Sequence, residues 1–62
     1  MKATIIIDMD NAAFADGYNG DELARILHKL ASGQRGIRLQ PSDGEALYDV
    51  NGNKVGDLDI IE

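Results

Sequence analysis

The hydrophobic pattern of the chain changes from a continuous run near the N-terminus to a helical period in the middle and to alternation near the C-terminus. In residues 19–33, large apolar side chains recur at i, i+3, i+4 and i+7, which places them on one face of a helix. These side chains are Leu23, Ile26, Leu27 and Leu30. Asn19 is predicted to cap the helix, Glu22 to reach back to it as in a capping box, and Gly33 to end the helix.

The run before this helix, residues 3–9, is β-branched and apolar with little alternation. Such a pattern is typical of a strand that is covered on both faces or lies in the centre of its sheet. Residues 11–18 then form a loop. We expect Phe14, the only phenylalanine, to anchor that loop against the core, because an exposed aromatic ring would leave a large apolar area in water.

Asn51-Gly52 lies between two strand-like runs, residues 45–50 and 53–61, and predicts a β-hairpin with a type I′ turn. This register pairs Asp49 with Lys54 across the hairpin. Both faces of the hairpin carry apolar residues, and Gly56 suggests a bulge or a close approach that would change which of Val55 and Leu58 points inward, so the pattern leaves open which face is buried. One face has Tyr48, Val50 and Val55, and the other has Leu47, Leu58 and Ile60.

Residues 37–40, between the helix and the hairpin, alternate apolar and polar up to Pro41. This segment fits a short edge strand or an extended loop that fills the seam between helix and sheet, and both remain open. Together the elements predict a single α+β domain, residues 1–62, in the order strand, helix, (short strand), β-hairpin. One helix would pack on one face of a mixed, three- to four-stranded sheet. The other face would then be open, which favours a homodimer or a partner protein.

Composition narrows the classes of function. The chain of 62 residues contains no cysteine, which excludes disulfides and thiolate metal sites and fits a reducing cytoplasm. The sequence shows no signal-peptide pattern and no apolar run of membrane-spanning length, so we expect a cytoplasmic protein without a membrane partner. The formal net charge of −5 argues against general nucleic-acid binding.

The basic residues are nevertheless concentrated in one part of the chain. Residues 23–42 contain no acid and four of the six lysine and arginine residues. These four, called the basic segment below, are Arg25, Lys29, Arg35 and Arg38. A nucleic-acid accessory protein that uses the basic segment is therefore the alternative to a protein-binding role. His28, the only histidine, has no ligand or nucleophile partner in the sequence, and we expect it on the solvated face of the helix.

Asp8 and Asp10 end the first strand in the pattern Asp-x-Asp-Asn. An apolar strand followed by this pattern resembles the first motif of haloacid-dehalogenase-type phosphatases, in which one aspartate is the nucleophile and the second an acid/base, both near Mg²⁺. That family also needs a lysine, further carboxylates and a large parallel sheet, which 62 residues do not supply. We therefore expect no enzyme, no cofactor and no metal, with both aspartates in an Asx-type turn. Weak Mg²⁺ or Ca²⁺ binding there is the alternative interpretation.

Segments across most of the chain resemble short proteins encoded by bacteriophages and prophages. They are the N-terminal strand, Asn11–Phe14, Glu22–Leu27 and Leu47–Gly56. The resemblance carries over no catalytic residue. It implies a host-takeover or anti-defence factor, a group that includes anti-CRISPR inhibitors, inside the bacterial host cell. A structural protein of the phage particle is the other role that it leaves open.

The expected function is a non-enzymatic protein-binding module that docks on a basic surface of a host or defence protein. Acidic residues would meet that surface, and the hairpin face with Tyr48 would add apolar contact or a dimer interface. The residues expected to bind the partner are Asp8, Asp10, Asp16, Asp43, Tyr48, Asp57 and Asp59.

Overall fold

The computed structural model of the protein describes residues 1–15 and 17–62. In chain order it contains β1 (Lys2–Ile7), a 3₁₀ helix (Ala12–Phe14), α1 (Asn19–Gln34), β2 (Gly44–Tyr48) and β3 (Lys54–Ile61). The strands form one antiparallel sheet in the order β1-β3-β2, and α1 packs on one face of it. The predicted α+β fold, with one helix on a three-stranded sheet, is confirmed.

The prediction of a mixed sheet is wrong, because β3 is the central strand. β1 and β2 run in the same direction on opposite sides of β3, and each pairs with it antiparallel. β1 is therefore an edge strand, and its residues Ile5 and Ile6 are 45% and 74% exposed. The prediction that this strand is central or covered on both faces is wrong for the same reason.

The helix begins at Asn19, but Asn19 is not its cap. Tyr18 occupies the N-cap position, and its side chain makes no capping hydrogen bond. Glu22 contacts the hairpin and does not reach back to the cap, so the predicted capping box is absent. The helix also continues through Gly33 to Gln34, whose side chain donates a 2.6 Å hydrogen bond to Glu45 of β2. This bond ties the last helical turn to the sheet.

The core lies between α1 and the β2–β3 side of the sheet. Its apolar residues are at most 7% exposed: Phe14, Ile26, Leu30, Leu47, Val55, Leu58 and Ile60. Burial of Phe14 confirms the predicted loop anchor. Of the predicted helical stripe, Ile26 and Leu30 are buried and Leu23 packs against the core, while Leu27 is 38% exposed. The helix therefore turns part of its apolar face away from the core.

The hairpin forms as predicted, but with a different register. Leu47 pairs with Gly56 as expected, and the next pair is Tyr48 with Lys54. Val55 is therefore an extra residue on β3, which is a β-bulge. Because a bulge reverses the alternation of side chains, Val55 turns into the core while Tyr48 stays 53% exposed. The predicted apolar face that joined these two residues does not form.

The loop between β2 and β3 is not a type I′ turn. Gly52 has a φ of 84°, but Asn51 does not have the positive φ that such a turn requires at both central residues. The loop is closed by backbone bonds from Asp49 N–H to Asn53 O at 2.9 Å and from Gly52 N–H to Asp49 O at 3.0 Å.

Residues 37–40 form an extended loop and not a strand, which decides between the two alternatives. Leu39 is half-buried against the core. The turn that follows is fastened to β3, since Ser42 N–H donates to Ile60 O at 2.9 Å and Ile60 N–H donates to Asp43 O at 2.8 Å.

Candidate functional site

β3 divides its side chains between the two faces of the sheet. Leu58 and Ile60 are buried beneath α1, so Asp57 and Asp59, which alternate with them, lie on the opposite face. We call this face the open face. Its residues, placed by strand alternation and register, include Thr4, Ile6, Tyr48, Asp57, Asp59 and Ile61.

The open face combines carboxylates in its centre with apolar side chains beside them. Across the β1–β3 ladder, Ile6 lies opposite Asp57 and Thr4 lies opposite Asp59. Ile6 is 74% exposed. Asp57 Oδ1 lies 3.2 Å from Lys54 Nζ, a surface ion pair, whereas Asp59 is exposed. Such a surface offers both apolar contact and negative charge to a partner.

The other predicted binding residues lie outside the centre of the open face. Asp8 follows β1, and its Oδ1 accepts from Asp10 N–H at 2.9 Å, which is the Asx-type turn expected there. Asp43 lies in the turn before β2, where its Oδ2 accepts from Gln40 N–H at 3.0 Å. Asp16 lies outside the described residues. The acids predicted to bind one partner thus belong to several places in the fold.

Among residues 1–15 and 17–62, no group of three or more histidine, aspartate or glutamate side chains is placed to hold a metal ion. His28 is exposed on α1, where the sequence placed it. No helix in the described part of the chain has the length and apolarity needed to cross a membrane.

Arg25 of the basic segment is bound within the protein itself. Its Nε and Nη2 donate to Glu22 at 2.7 and 3.0 Å, and Nη2 also donates to the Tyr48 carbonyl oxygen at 3.2 Å. Glu22 Oε2 in turn accepts from Val50 N–H at 2.8 Å. The hydrogen bonds from Arg25, together with the one from Val50, outweigh desolvation and hold the pKa of Glu22 below its ordinary value of 4.5. The exposed members of the basic segment are Lys29, Arg35 and Arg38.

Asp49 is the buried polar centre of the hairpin, and sequence-based prediction missed it. The residue is 4% exposed. Its Oδ1 accepts from Asn51 N–H at 2.9 Å and Asn53 N–H at 2.8 Å. Its Oδ2 accepts from Asn11 Nδ2 at 2.6 Å and Asn53 Nδ2 at 3.4 Å. The predicted cross-strand pair of Asp49 with Lys54 is therefore wrong, because the carboxylate turns inward to these donors.

The contacts of Asp49 also change the pKa of its carboxyl group. Burial raises the pKa of Asp49, but the hydrogen bonds from Asn53, Asn11 and Asn51 together outweigh it, so the pKa lies below the ordinary value of 3.8. Asn11 Oδ1 additionally accepts from Ala13 N–H at 3.1 Å and so caps the 3₁₀ helix. The spacing Asp-x-Asn-x-Asn is a local signal for the bonds to residues 51 and 53. The Asn11 bond has no local signal. The role of Asp49 is to join the loop after β1 to the hairpin.

An apolar groove of about 250 Å³ lies between α1 and β1. Its walls include Ala3, Ile5, Leu27, Ala31 and Leu39. Ile5 is 45% exposed and Leu27 is 38% exposed, so the groove opens to solvent. The sequence does not predict this groove, because the apolar run of β1 is also typical of a central strand.

Comparison of the chain with protein-family models, with curated proteins and with solved structures found no match.

Proposed function

We propose that the protein is a non-enzymatic protein-binding module whose open face docks on a basic surface of a host or defence protein. The observation that carries this proposal is the position of Asp57 and Asp59 on the open face beside the exposed Ile6. Carboxylates attract and orient a basic partner, and apolar side chains add burial. An anti-defence inhibitor of phage type, acting in the bacterial cytoplasm, is the biological role that agrees with this surface and with the resemblance of the sequence.

The position of the two aspartates on β3 supports a docking role. β3 is paired on both sides, so the backbone beneath Asp57 and Asp59 is held by two ladders. A surface that is ordered before binding loses little conformational entropy when a partner arrives. Tyr48 lies on the same face and adds an aromatic side chain of the kind enriched in interfaces.

The proposal is tested by capture of partners from bacterial lysate on the tagged chain, at low and at high salt, each with and without nuclease. The test variant is Asp57→Lys/Asp59→Lys. The control, Asp21→Lys/Glu45→Lys, makes the same change of net charge at exposed residues away from the open face. Circular dichroism confirms that both variants fold before capture is compared.

We expect the wild type and the control to retain the same stoichiometric protein, and the open-face variant to lose it. High salt should also release it, because exposed charges are screened. Equal capture by the wild type and the open-face variant would overturn the proposal. A ligand that disappears on nuclease treatment and on Lys29→Ala/Arg35→Ala substitution would instead support the nucleic-acid alternative.

A further inference from the structure

The free edge of β1 presents a regular set of backbone groups. Asp8 N–H donates to Val55 O at 2.7 Å and continues the β1–β3 ladder. Hydrogen-bonded pairs recur at every second residue of an antiparallel ladder, so the even-numbered residues of β1 bond to β3. The N–H and C=O groups of Ala3, Ile5 and Ile7 therefore point outward, away from the sheet.

The opposite edge of the sheet, β2, is protected against pairing with another strand. Its ladder with β3 is interrupted by the bulge at Val55. Arg25 Nη2 also donates to the carbonyl oxygen of Tyr48 at the end of β2. Bulges and charged side chains are the usual means by which edge strands avoid association. β1 has an unbroken register, and residues 3–7 carry no charge.

We propose that β1 binds the β1 strand of a second copy of this chain, antiparallel, about a twofold axis at Ile5. In this register, Ile5 faces Ile5 of the partner subunit and Ala3 faces Ile7 of the partner subunit. Every outward-pointing N–H and C=O group of β1 then has a partner within the two strands. A shift by two residues in either direction would pair one of these residues with Met1 or Met9, outside β1.

The side chains of β1 complement each other in the same register. Lys2 lies opposite Asp8 of the partner subunit, and the twofold axis repeats this pair of opposite charges. The exposed Ile6 lies opposite Thr4 of the partner subunit, which covers part of an isoleucine that is 74% exposed in the single chain. Backbone, charge and apolar contacts thus favour one register.

The pairing yields a closed dimer with a continuous six-stranded sheet. Since β2 is protected, a second round of edge pairing is blocked and no fibre grows. The interface uses Thr4 and Ile6 at the edge of the open face, but it does not use Asp57 or Asp59, which carry the charge of the proposed docking surface. The variant Asp57→Lys/Asp59→Lys should leave the dimer intact.

The first test concerns the two pairs of Lys2 with Asp8 of the partner subunit. The mass of the purified chain is measured by sedimentation over a dilution series. The wild type should change from monomer to dimer mass as concentration rises. Lys2→Glu alone and Asp8→Lys alone should each weaken the dimer roughly three- to tenfold, because both charge pairs become repulsive. An equimolar mixture of the two variants should restore wild-type association, because opposite charges meet again at both positions.

Three results would overturn the proposal: a wild type that stays monomeric at the highest concentration reached, a wild type that forms a larger assembly, or a mixture that associates no better than the single variants. The mixture also controls for folding, because a misfolded variant would not be rescued by mixing.

A single cysteine provides the second test, since the chain has no cysteine of its own. Facing residues in a hydrogen-bonded antiparallel pair have Cα atoms about 5.5 Å apart, within the range that a disulfide spans. Ile5→Cys should therefore form a disulfide-linked dimer under mild oxidation. Glu45→Cys, exposed on the β2 edge, is the matched control and should remain mostly monomeric. Equal cross-linking of the two variants would contradict the proposed register.

Discussion

The two sides of the sheet are held by different kinds of contact. On the β2 side, the helix, the 3₁₀ helix and the hairpin are joined by the core and by polar bonds to Glu22 and Asp49. On the β1 side, the backbone ladder with β3 supplies most of the contact, and an apolar groove separates the strand from α1. Among the described residues, none of the seven buried core side chains lies on β1, and the two shortest side-chain hydrogen bonds end at Asp49 and Glu45, on or beside β2.

This difference shows how a very small domain can leave one edge of its sheet, that of β1, available for pairing with another strand. A chain of this length buries only about 60% of the surface that its unfolded form exposes, less than larger domains do, so few contacts decide whether it folds. With the buried side chains and polar bonds gathered on the β2 side, the outer edge of β1 is free to bind. Substitutions on the two sides should therefore have unequal effects.

The largest effect is expected for the core contact of α1. Ile26 is 3% exposed, whereas the next residue, Leu27, is 38% exposed toward the groove. Ile26→Ala should lower the free energy of unfolding by about 3 kcal/mol, since it leaves a cavity in the core. Leu27→Ala should lower it by about 1 kcal/mol or less. Urea unfolding followed by circular dichroism measures both changes in the free energy of unfolding. A larger change at Leu27 than at Ile26 would mean that the β1 side is packed more tightly than the β2 side.

The polar contacts of the β2 side are tested at Asp49. Asp49→Ala leaves the Asn51 N–H, the Asn53 N–H and the Asn11 side chain without their acceptor. We expect the melting temperature to fall by roughly 10 °C, because unpaired buried donors are costly and small domains are sensitive to them. Asp59→Ala, at an exposed aspartate, is the control. Similar melting curves for the two variants would show that Asp49 is dispensable.

Acid should weaken the same contacts. The pKa values of Asp49 and Glu22 lie below their ordinary values of 3.8 and 4.5. A carboxyl whose pKa is lower in the folded chain than in the unfolded chain stabilises fully above the unfolded value. That contribution is lost as the pH falls through the folded pKa. Unfolding free energies measured between pH 7 and pH 2 should decline below about pH 4.5. The decline should be shallower in Asp49→Asn/Glu22→Gln, and an unchanged slope would exclude these two groups as its cause.

The smallest effect is expected at the free edge. Ile5 is 45% exposed, and threonine keeps the β-branched shape that suits a strand. Ile5→Thr should change the free energy of unfolding of the monomer by about 1 kcal/mol or less. Ile60→Thr, which introduces a hydroxyl at a residue 4% exposed, should cost clearly more. Chemical denaturation at high dilution compares them, and an equal loss would remove the distinction between the two sides.

The elements with strong local signals were predictable from the sequence. The helical period of residues 19–33 and the two runs around Asn51-Gly52 located α1 and the hairpin, and the single phenylalanine marked a core residue. These signals depend on neighbours in sequence, which is why they succeed without knowledge of the sheet order.

The features that depend on distant residues were not predictable. An unbroken apolar run favours a strand with both faces covered, but it does not fix the position of the strand in the sheet, and β1 lies at an edge with Ile6 exposed. The bond from Asn11 to Asp49 likewise connects residues far apart in sequence, so the hairpin residues alone favoured a cross-strand pair with Lys54. The open face also depends on the order of the strands. The sequence therefore identifies its individual acids but not the face that they share.

The pairing of Lys2 with Ile61 has a consequence for how the chain is made. The ladder between β1 and β3 joins the first of the three strands to the last. Its formation must therefore close a loop that contains α1, β2 and the hairpin turn. Long loops are closed more slowly than hairpins and helices, and translation delivers β1 well before β3. Until β3 is synthesised, the most apolar strand of the protein has no neighbour on either edge. We therefore expect the nascent chain to be most prone to aggregation just before the last strand emerges, and the arrival of that strand to end this vulnerable period.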